Sequence, residues 1–352
     1  MHKRNLTKSI NNLSEKKLDK DFPVDIVYAW VDDQDSQWQE KKKSVLKDIE
    51  VNIEANDICR FINNNELLYS IRSIYKYCSW FNKIYIVTDD QIPNWLQRNT
   101  NDIIIVDHKT IFGEAGTLPT FNSNVIESRI HHIPNLCEHY IYFNDDFFIG
   151  RKLSKSFFFS DNGNSKIYMT KKKSKRKVLN VMKPQRMLKQ KLYPLNLNLA
   201  RMLVLEKCNK LILNYPIHNP KGFCKSDIFK VETCFHSIIL KTLRHQFRNN
   251  EGIYFLALCM FFLIANGNKP LVMKPYRSNR ITYNFSCFRK NRDFVYLKLG
   301  IDPLFEEKYR LINKYKPAFF CINDTNLSTD LDRKKMVDFL INYFPDKSNA
   351  EK

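Results

Sequence analysis

Glycine is scarce in this chain, with only 8 among 352 residues. Glycine-rich loops let backbone N–H groups approach phosphates closely, and neither a P-loop nor a G-x-G-x-x-G fingerprint is present. The nine cysteines (Cys59, Cys78, Cys137, Cys208, Cys224, Cys234, Cys259, Cys287 and Cys321) are scattered, odd in number and lack a C-x-x-C pair. That spacing excludes a zinc ribbon, gives no disulfide framework, and fits a reducing cytosol. No signal peptide is expected either, since MHKRNLTKSINNLSEKKLDK has no apolar core. The longest apolar run, Ile253 to Ala265, is short of the roughly 20 residues that span a bilayer, so it is expected as a buried helix.

What is present is a globular composition, 43% hydrophobic and 27% charged, on a chain long enough to bury a sizeable core. The net charge of +20 calls for an anionic partner. A coding bias toward Lys, Asn and Ile would give the same excess without any binding role.

From Phe22 onward the pattern alternates. DIVYAWV (25–31), KIYIVTDD (83–90), DIIIVDH (102–108) and HYIYFNDDFFIG (139–150) read as buried strands. NNNELLYSIRSIYKYCSWF carries Leu67, Ile71, Ile74 and Cys78 at helical spacing. A turn and short helix are expected at QIPNWL, and another helix near Asn124, stopped by Pro134. Strands alternating with helices predict an α/β fold with a mostly parallel sheet flanked by helices. The later half reads as mainly helical, around IHNPKGF, toward FRNNEGI and through the apolar run, before a strand at KPAFFCIND and a C-terminal helix. No linker divides the chain. The expected organisation is a polar lead (1–22), one catalytic domain (23–325) and a helix with a polar tail (326–352). Within the domain lie an α/β core (23–151), a basic excursion (152–215) and a helical part completing the site (216–325).

The four strands end in polar or acidic residues, and open parallel sheets bind ligands beyond those carboxyl ends. Asn144–Asp145–Asp146 is the strongest signal. Adjacent carboxylates in an apolar context are costly unless compensated, and hard oxygen ligands suit Mg²⁺ or Mn²⁺. Asp32 would face the same edge, with Trp30 or Trp38 as a wall. Arg72, His218, Arg248, Asn323 and Asp324 are further candidates, each of which alone reads as structural.

Together these segments resemble the Stealth family of capsular polysaccharide phosphotransferases, over residues 24–151 and more loosely at IHNPKGFCKS…RHQFRNNEGI and KPAFFCIND. This chain departs at Asp33, where family members often carry glycine. The resemblance implies a Rossmann-like, glycosyltransferase-A-like fold and transfer of sugar-1-phosphate from a UDP-sugar to a glycan hydroxyl, releasing UMP. It implies Asp145, Asp146 and Asp32 on the metal, and Arg72 and Arg248 on phosphate oxygens. His218 would be the base for the acceptor hydroxyl or a donor to the transferring phosphate. Trp30, Asn122, Asn124, Glu127, Asn144, Asn323 and Asp324 would contact donor or acceptor. A metal-dependent glycosyltransferase releasing UDP and a non-enzymatic polyanion-binding protein are the alternatives. Cytoplasmic placement is expected, with Lys171–Lys177 offering peripheral contact to an anionic inner membrane face, and no nucleic acid partner.

Overall fold

The computed structural model describes residues 22–97, 100–272, 293–302 and 305–352, so all but Phe22 of the expected polar lead lies outside the described residues. Ten strands are described: β1 (Val24–Ala29), β2 (Ile84–Thr88), β3 (Ile103–Asp107), β4 (His139–Asn144), β5 (Phe147–Ile149), β6 (Tyr168–Met169), β7 (Lys221–Cys224), β8 (Leu271–Val272), β9 (Phe294–Lys298) and β10 (Phe319–Asn323). The main sheet has the order β3-β2-β1-β4-β7. Its first four strands are parallel, and β7 runs antiparallel to β4.

Side-chain alternation explains why both faces are dry. Val24, Ile26 and Tyr28 of β1 pack with Leu67, Ile71 and Ile74 of the helix Glu66–Tyr77. Val27 faces the other way, into a core with Val204 and the helix Phe255–Ala265. That helix is the expected apolar run; it is hydrophobic all round because it is buried almost all round. The result is the expected α/β class, a mostly parallel mixed sheet flanked by helices with a largely helical second half.

Three local expectations are corrected. The run His139–Gly150 is two strands, not one. After β4 the chain turns at Asp145–Asp146, and β5 leaves to pair with β10 in a three-stranded sheet, β5-β10-β9. QIPNWL forms no helix, because the C-terminus captures it: Gln97 N–H donates to the Ala350 carbonyl at 2.8 Å, and Lys352 N–H to the Trp95 carbonyl at 3.0 Å. IHNPKGF is not helical: it bends at His218–Asn219 and its end pairs along the edge of β4 as β7. Among the described residues no helix is long and apolar enough to cross a membrane.

Candidate active site

A cleft of about 390 Å³ opens at the carboxyl edge of the parallel strands. The strands deliver the residues just beyond their ends: Trp30 from β1, Asp89 from β2, His108 from β3, and Asp145–Asp146 after Asn144 of β4. Because β7 is antiparallel, its entering end lies at this same edge, with Lys221 opposite Tyr142. His218 and Lys221 therefore reach the cleft, joined by Arg248, Asn323 and Asp324 from the second half.

The acids cluster at the half-buried floor. Oδ2 of Asp146 accepts from the Cys321 thiol at 3.1 Å and Asn323 Nδ2 at 3.3 Å, while its Oδ1 is buried without a partner. Glu66, only 5% exposed, also lines the cleft, and its oxygens accept from Asn64 N–H (2.7 Å) and Nδ2 (2.8 Å). Burial, then repulsion from Asp146, pushes Asp145 up to about 7. Burial likewise pushes Asp146 to about 6, and burial followed by the Asp145 charge takes Glu66 to about 7. An orphaned oxygen among three mutually repelling carboxylates is what a divalent cation relieves. Asp146, His218 and Cys321 present donor atoms within 4.8 Å of one another. Burial holds the Cys321 thiol well above its usual range, so it stays protonated as a donor to Asp146, and oxygen ligands remain for a hard cation. The residues fit a metal.

Basic side chains lie beside the acids. His218 sits between the rings of Phe147 and Tyr296, and its Nε2 is buried and unpartnered. Burial, then the charges of Lys221, Lys298 and Arg248, lowers it to about 3, so its imidazole is neutral at physiological pH. Burial lowers Lys221 to about 8, opposed by Glu127 and Asp146; its Nζ donates to the Asn219 carbonyl at 2.8 Å. Arg248 hydrogen-bonds the Ser123 hydroxyl. Glu127 accepts from the Tyr142 hydroxyl at 3.2 Å, has a second oxygen buried and free, and is raised by burial to about 7. Asn124, Asn144, Asp324 and Trp30, whose Nε1–H is buried and unpartnered, also line the cleft.

Three expected site residues are not brought in. Asp32 does not line the cleft; it shapes its own turn, accepting from Gln34 N–H at 3.1 Å and bracketed by the Gln91 side chain. Glu66 stands where Asp32 was expected as the third acid. Asn122 caps the helix Ser123–Glu127 and ties it to the His245 carbonyl at 3.1 Å, behind the lining. Arg72 points away, to Glu351 (2.6 to 3.2 Å over three contacts) and the Phe344 carbonyl (2.8 Å). The departure at Asp33 is harmless: it is not among the residues with positive φ, and its Oδ1 accepts from Asn63 N–H at 3.1 Å.

Arg72→Ala is therefore expected to destabilise the protein rather than disarm it. The side chain of Glu351 is 4% exposed, and stranding such a charge costs about 3–5 kcal/mol. Chemical denaturation should register that loss while the donor KM of the folded fraction stays unchanged. A raised KM at unchanged stability would return Arg72 to the cleft.

Glu66, Lys221 and Arg60 line the cleft without having been singled out in the sequence. Glu66 reads as an ordinary acid in the first turn of a helix. The lysine lies in a segment read as helical. Only the antiparallel pairing of β7 reveals where it points.

Carboxylates beside cations at the carboxyl edge of a parallel sheet are an arrangement that can hold an anion together with a divalent cation. The chain belongs to the Stealth family: conserved region 1 matches residues 22–50 and conserved region 2 matches residues 60–167. It is 35% identical, over 97% of its length and 88% of the other protein, to the capsular polysaccharide phosphotransferase fcs1 of Haemophilus influenzae. It is 32% identical to the capsular polysaccharide phosphotransferase LcbA of Aeromonas hydrophila, covering 94% of this chain and 86% of that one. The chain is thus an enzyme that transfers a phosphate-bearing group, which displaces the polyanion-binding alternative. Among solved structures, the galactosyltransferase LgtC is similar at a TM-score of 0.40 and 9% identity, over 90% of this chain and 95% of that one. So distant a likeness says nothing about chemistry.

Proposed function

We propose that the enzyme moves sugar-1-phosphate from a UDP-sugar to a hydroxyl of a capsular or other cell-surface glycan and releases UMP. The observation that carries this reading is the cleft itself, where Asp145, Asp146 and the buried Glu66 share one lining with Lys221, Arg248 and a neutral His218. The phosphotransferase names of the relatives support it. In the proposed step the acceptor oxygen bonds to the phosphorus that carries the sugar, and the bond from that phosphorus to the UMP oxygen breaks. The acceptor proton passes to Nε2 of His218. Anionic phosphate beside this ring raises its proton affinity, reversing the effect of the surrounding cations. Arg248 and Lys221 take the charge gathering on phosphate oxygens, and positioning supplies much of the rest. Asp145 and Asp146, with Glu66, would hold Mg²⁺ or Mn²⁺. Bound there, the ion supplies charge neutralisation of a diphosphate. Trp30, Asn124, Glu127, Asn144, Asn323 and Asp324 are the proposed sugar and nucleotide contacts.

In this reading residues 23–325 act as a single catalytic unit in the cytoplasm. Lys171–Lys177 are all exposed, running from a loop into the helix Lys175–Val181, and would rest on an anionic membrane face. The rival is a glycosyltransferase that attacks the anomeric carbon. Incubation with a panel of UDP-sugars, Mg²⁺ or Mn²⁺ and acceptor glycan decides between them. UMP with a new phosphodiester is the expected outcome, and UDP would overturn the proposal.

A further inference from the structure

The turn Ile130–His132 and the helix Lys225–Cys234 meet through one carboxylate. Nε2 of His131 and Nε2 of His132 lie 2.7 and 2.8 Å from the same oxygen, Oε2 of Glu232. The other oxygen, Oε1, accepts from Arg129 Nη1 at 2.6 Å, and Arg129 Nε is itself held by the Ile111 carbonyl at 3.1 Å. The rings are fixed as firmly as the acid. Phe229 packs edge-on against both, 4.6 Å from His131 and 5.1 Å from His132, and Phe255 stacks on His131. His131 is fully buried, while the side chain of His132 is 27% exposed. None of these residues lines the cleft.

Three donor atoms that converge on one point, each on a side chain held by its neighbours, are what a metal site requires. In a tetrahedral zinc site, bonds of about 2.0–2.2 Å set the ligand atoms roughly 3.3 Å apart. His131, His132 and Glu232 already hold theirs within 4.8 Å of one another. Opening each nitrogen–oxygen contact by about half an ångström would admit the ion. The chemistry of the set selects which ion. Two imidazoles and one carboxylate suit zinc, whereas the Arg129 charge on Oε1 disfavours a hard cation that depends on carboxylate charge. Among the described residues Glu232 is the only acid paired with either ring, and it already balances Arg129. No second acid therefore holds the rings protonated against a metal.

We propose that His131, His132 and Glu232 form a zinc site outside the cleft, with water completing the shell beside the partly exposed His132. The turn leads into β4 and the helix leaves β7, so the ion would clasp the two paired strands that carry Asp145–Asp146 and Lys221 to the cleft. Its role is to brace the fold, and it does not rest on the transfer reading.

Calorimetric titration of untagged, metal-stripped protein with Zn²⁺ tests the site. The other donor set among the described residues, Asp146, His218 and Cys321, belongs to the cleft, so the titration is made in a His218→Gly background. One zinc should still bind there. At about a hundredfold excess over Kd it should raise the melting temperature by about 3–5 °C. Adding His132→Ala should weaken binding by at least about tenfold. His132→Cys should restore it, and with Co²⁺ in place of zinc should add a thiolate charge-transfer band that the parent lacks. If His132→Ala melts lower than its parent in EDTA, the cobalt spectrum of His132→Cys still decides. No zinc bound in His218→Gly, an affinity within about twofold of the parent in His132→Ala, or no thiolate band in His132→Cys leaves a hydrogen-bonded brace without metal and overturns the site.

Discussion

Asp145→Asn is expected to lower kcat by about a thousandfold, since several kcal/mol of charge stabilisation is lost and each 1.36 kcal/mol is a factor of ten. The same substitution should make the metal-free protein more stable at alkaline pH. Asp145 is held up at about 7 by burial and by Asp146, so the fold favours its protonated form. A carboxyl raised in this way contributes stability below its unfolded pKa, near 4, and that contribution is lost as pH rises through about 7. The wild type in EDTA should therefore melt higher at pH 5 than at pH 8, and Asp145→Asn should flatten that slope. Metal reverses the sign, because ligation needs the ionised carboxylates, so protection by Mn²⁺ should grow as pH rises. Calorimetric Mn²⁺ binding, thermal melts in EDTA and turnover measure three separate consequences. A variant that binds Mn²⁺ and turns over like wild type would remove the acidic pair from the site.

The contrast with Arg72 shows why the acids were legible and the arginine was not. Asp145 and Asp146 follow IYF and precede FFIG, so the sequence itself declares charge in an apolar place. That signal is local. Arg72 lies in an amphipathic helix, and its real partner is 279 residues away in Glu351. Nothing in the sequence near Arg72 separates a phosphate clamp from a tether for the C-terminus. The parallel core was legible for the same local reason: strands buried on both faces appear as short apolar runs. What the runs conceal is pairing. Tyr140–Gly150 is an apolar stretch interrupted only by Asn144 and the two acids, and only the hydrogen bonds of β5 to β10 reveal that it passes from one sheet to another.

Pairing also hid half of the site. Lys221 and His218 arrive because β7 enters antiparallel beside β4, while the residue pattern near the two prolines of that segment suggested helix. Glu66 was masked by a role that it also fills, as an acid in the first turn of a helix. Asp32 is the opposite case, since it stands outside the lining of the cleft. Its place after β1 suits a ligand, but Asp33, Asp35 and Gln34 form a hydrogen-bonded turn with it that satisfies the cluster locally.

His218→Gly should reduce kcat by about 10²–10⁴-fold, the range lost with a general base, and leave the donor KM near its wild-type value. The ring is enclosed by Phe147 at 4.7 Å and Tyr296 at 5.3 Å, so its removal leaves a slot of imidazole size. Added imidazole should therefore restore part of the lost rate, and more basic imidazoles should restore more, as Brønsted behaviour requires. The acid limb of the wild-type kcat profile is shared between His218 and the carboxylates. In the complex the phosphate raises His218 from its ligand-free position near 3, while Asp145 and Glu66, at about 7 without metal or donor, are lowered by the ligated ion. Rescue separates them, because exogenous imidazole replaces the ring and leaves the carboxylates untouched. Partial restoration of kcat assigns the acceptor proton to Nε2. If rescue fails and the donor KM rises, the ring is instead a donor to phosphate oxygens, and the proton must go to Glu127, whose free buried oxygen lines the same cleft.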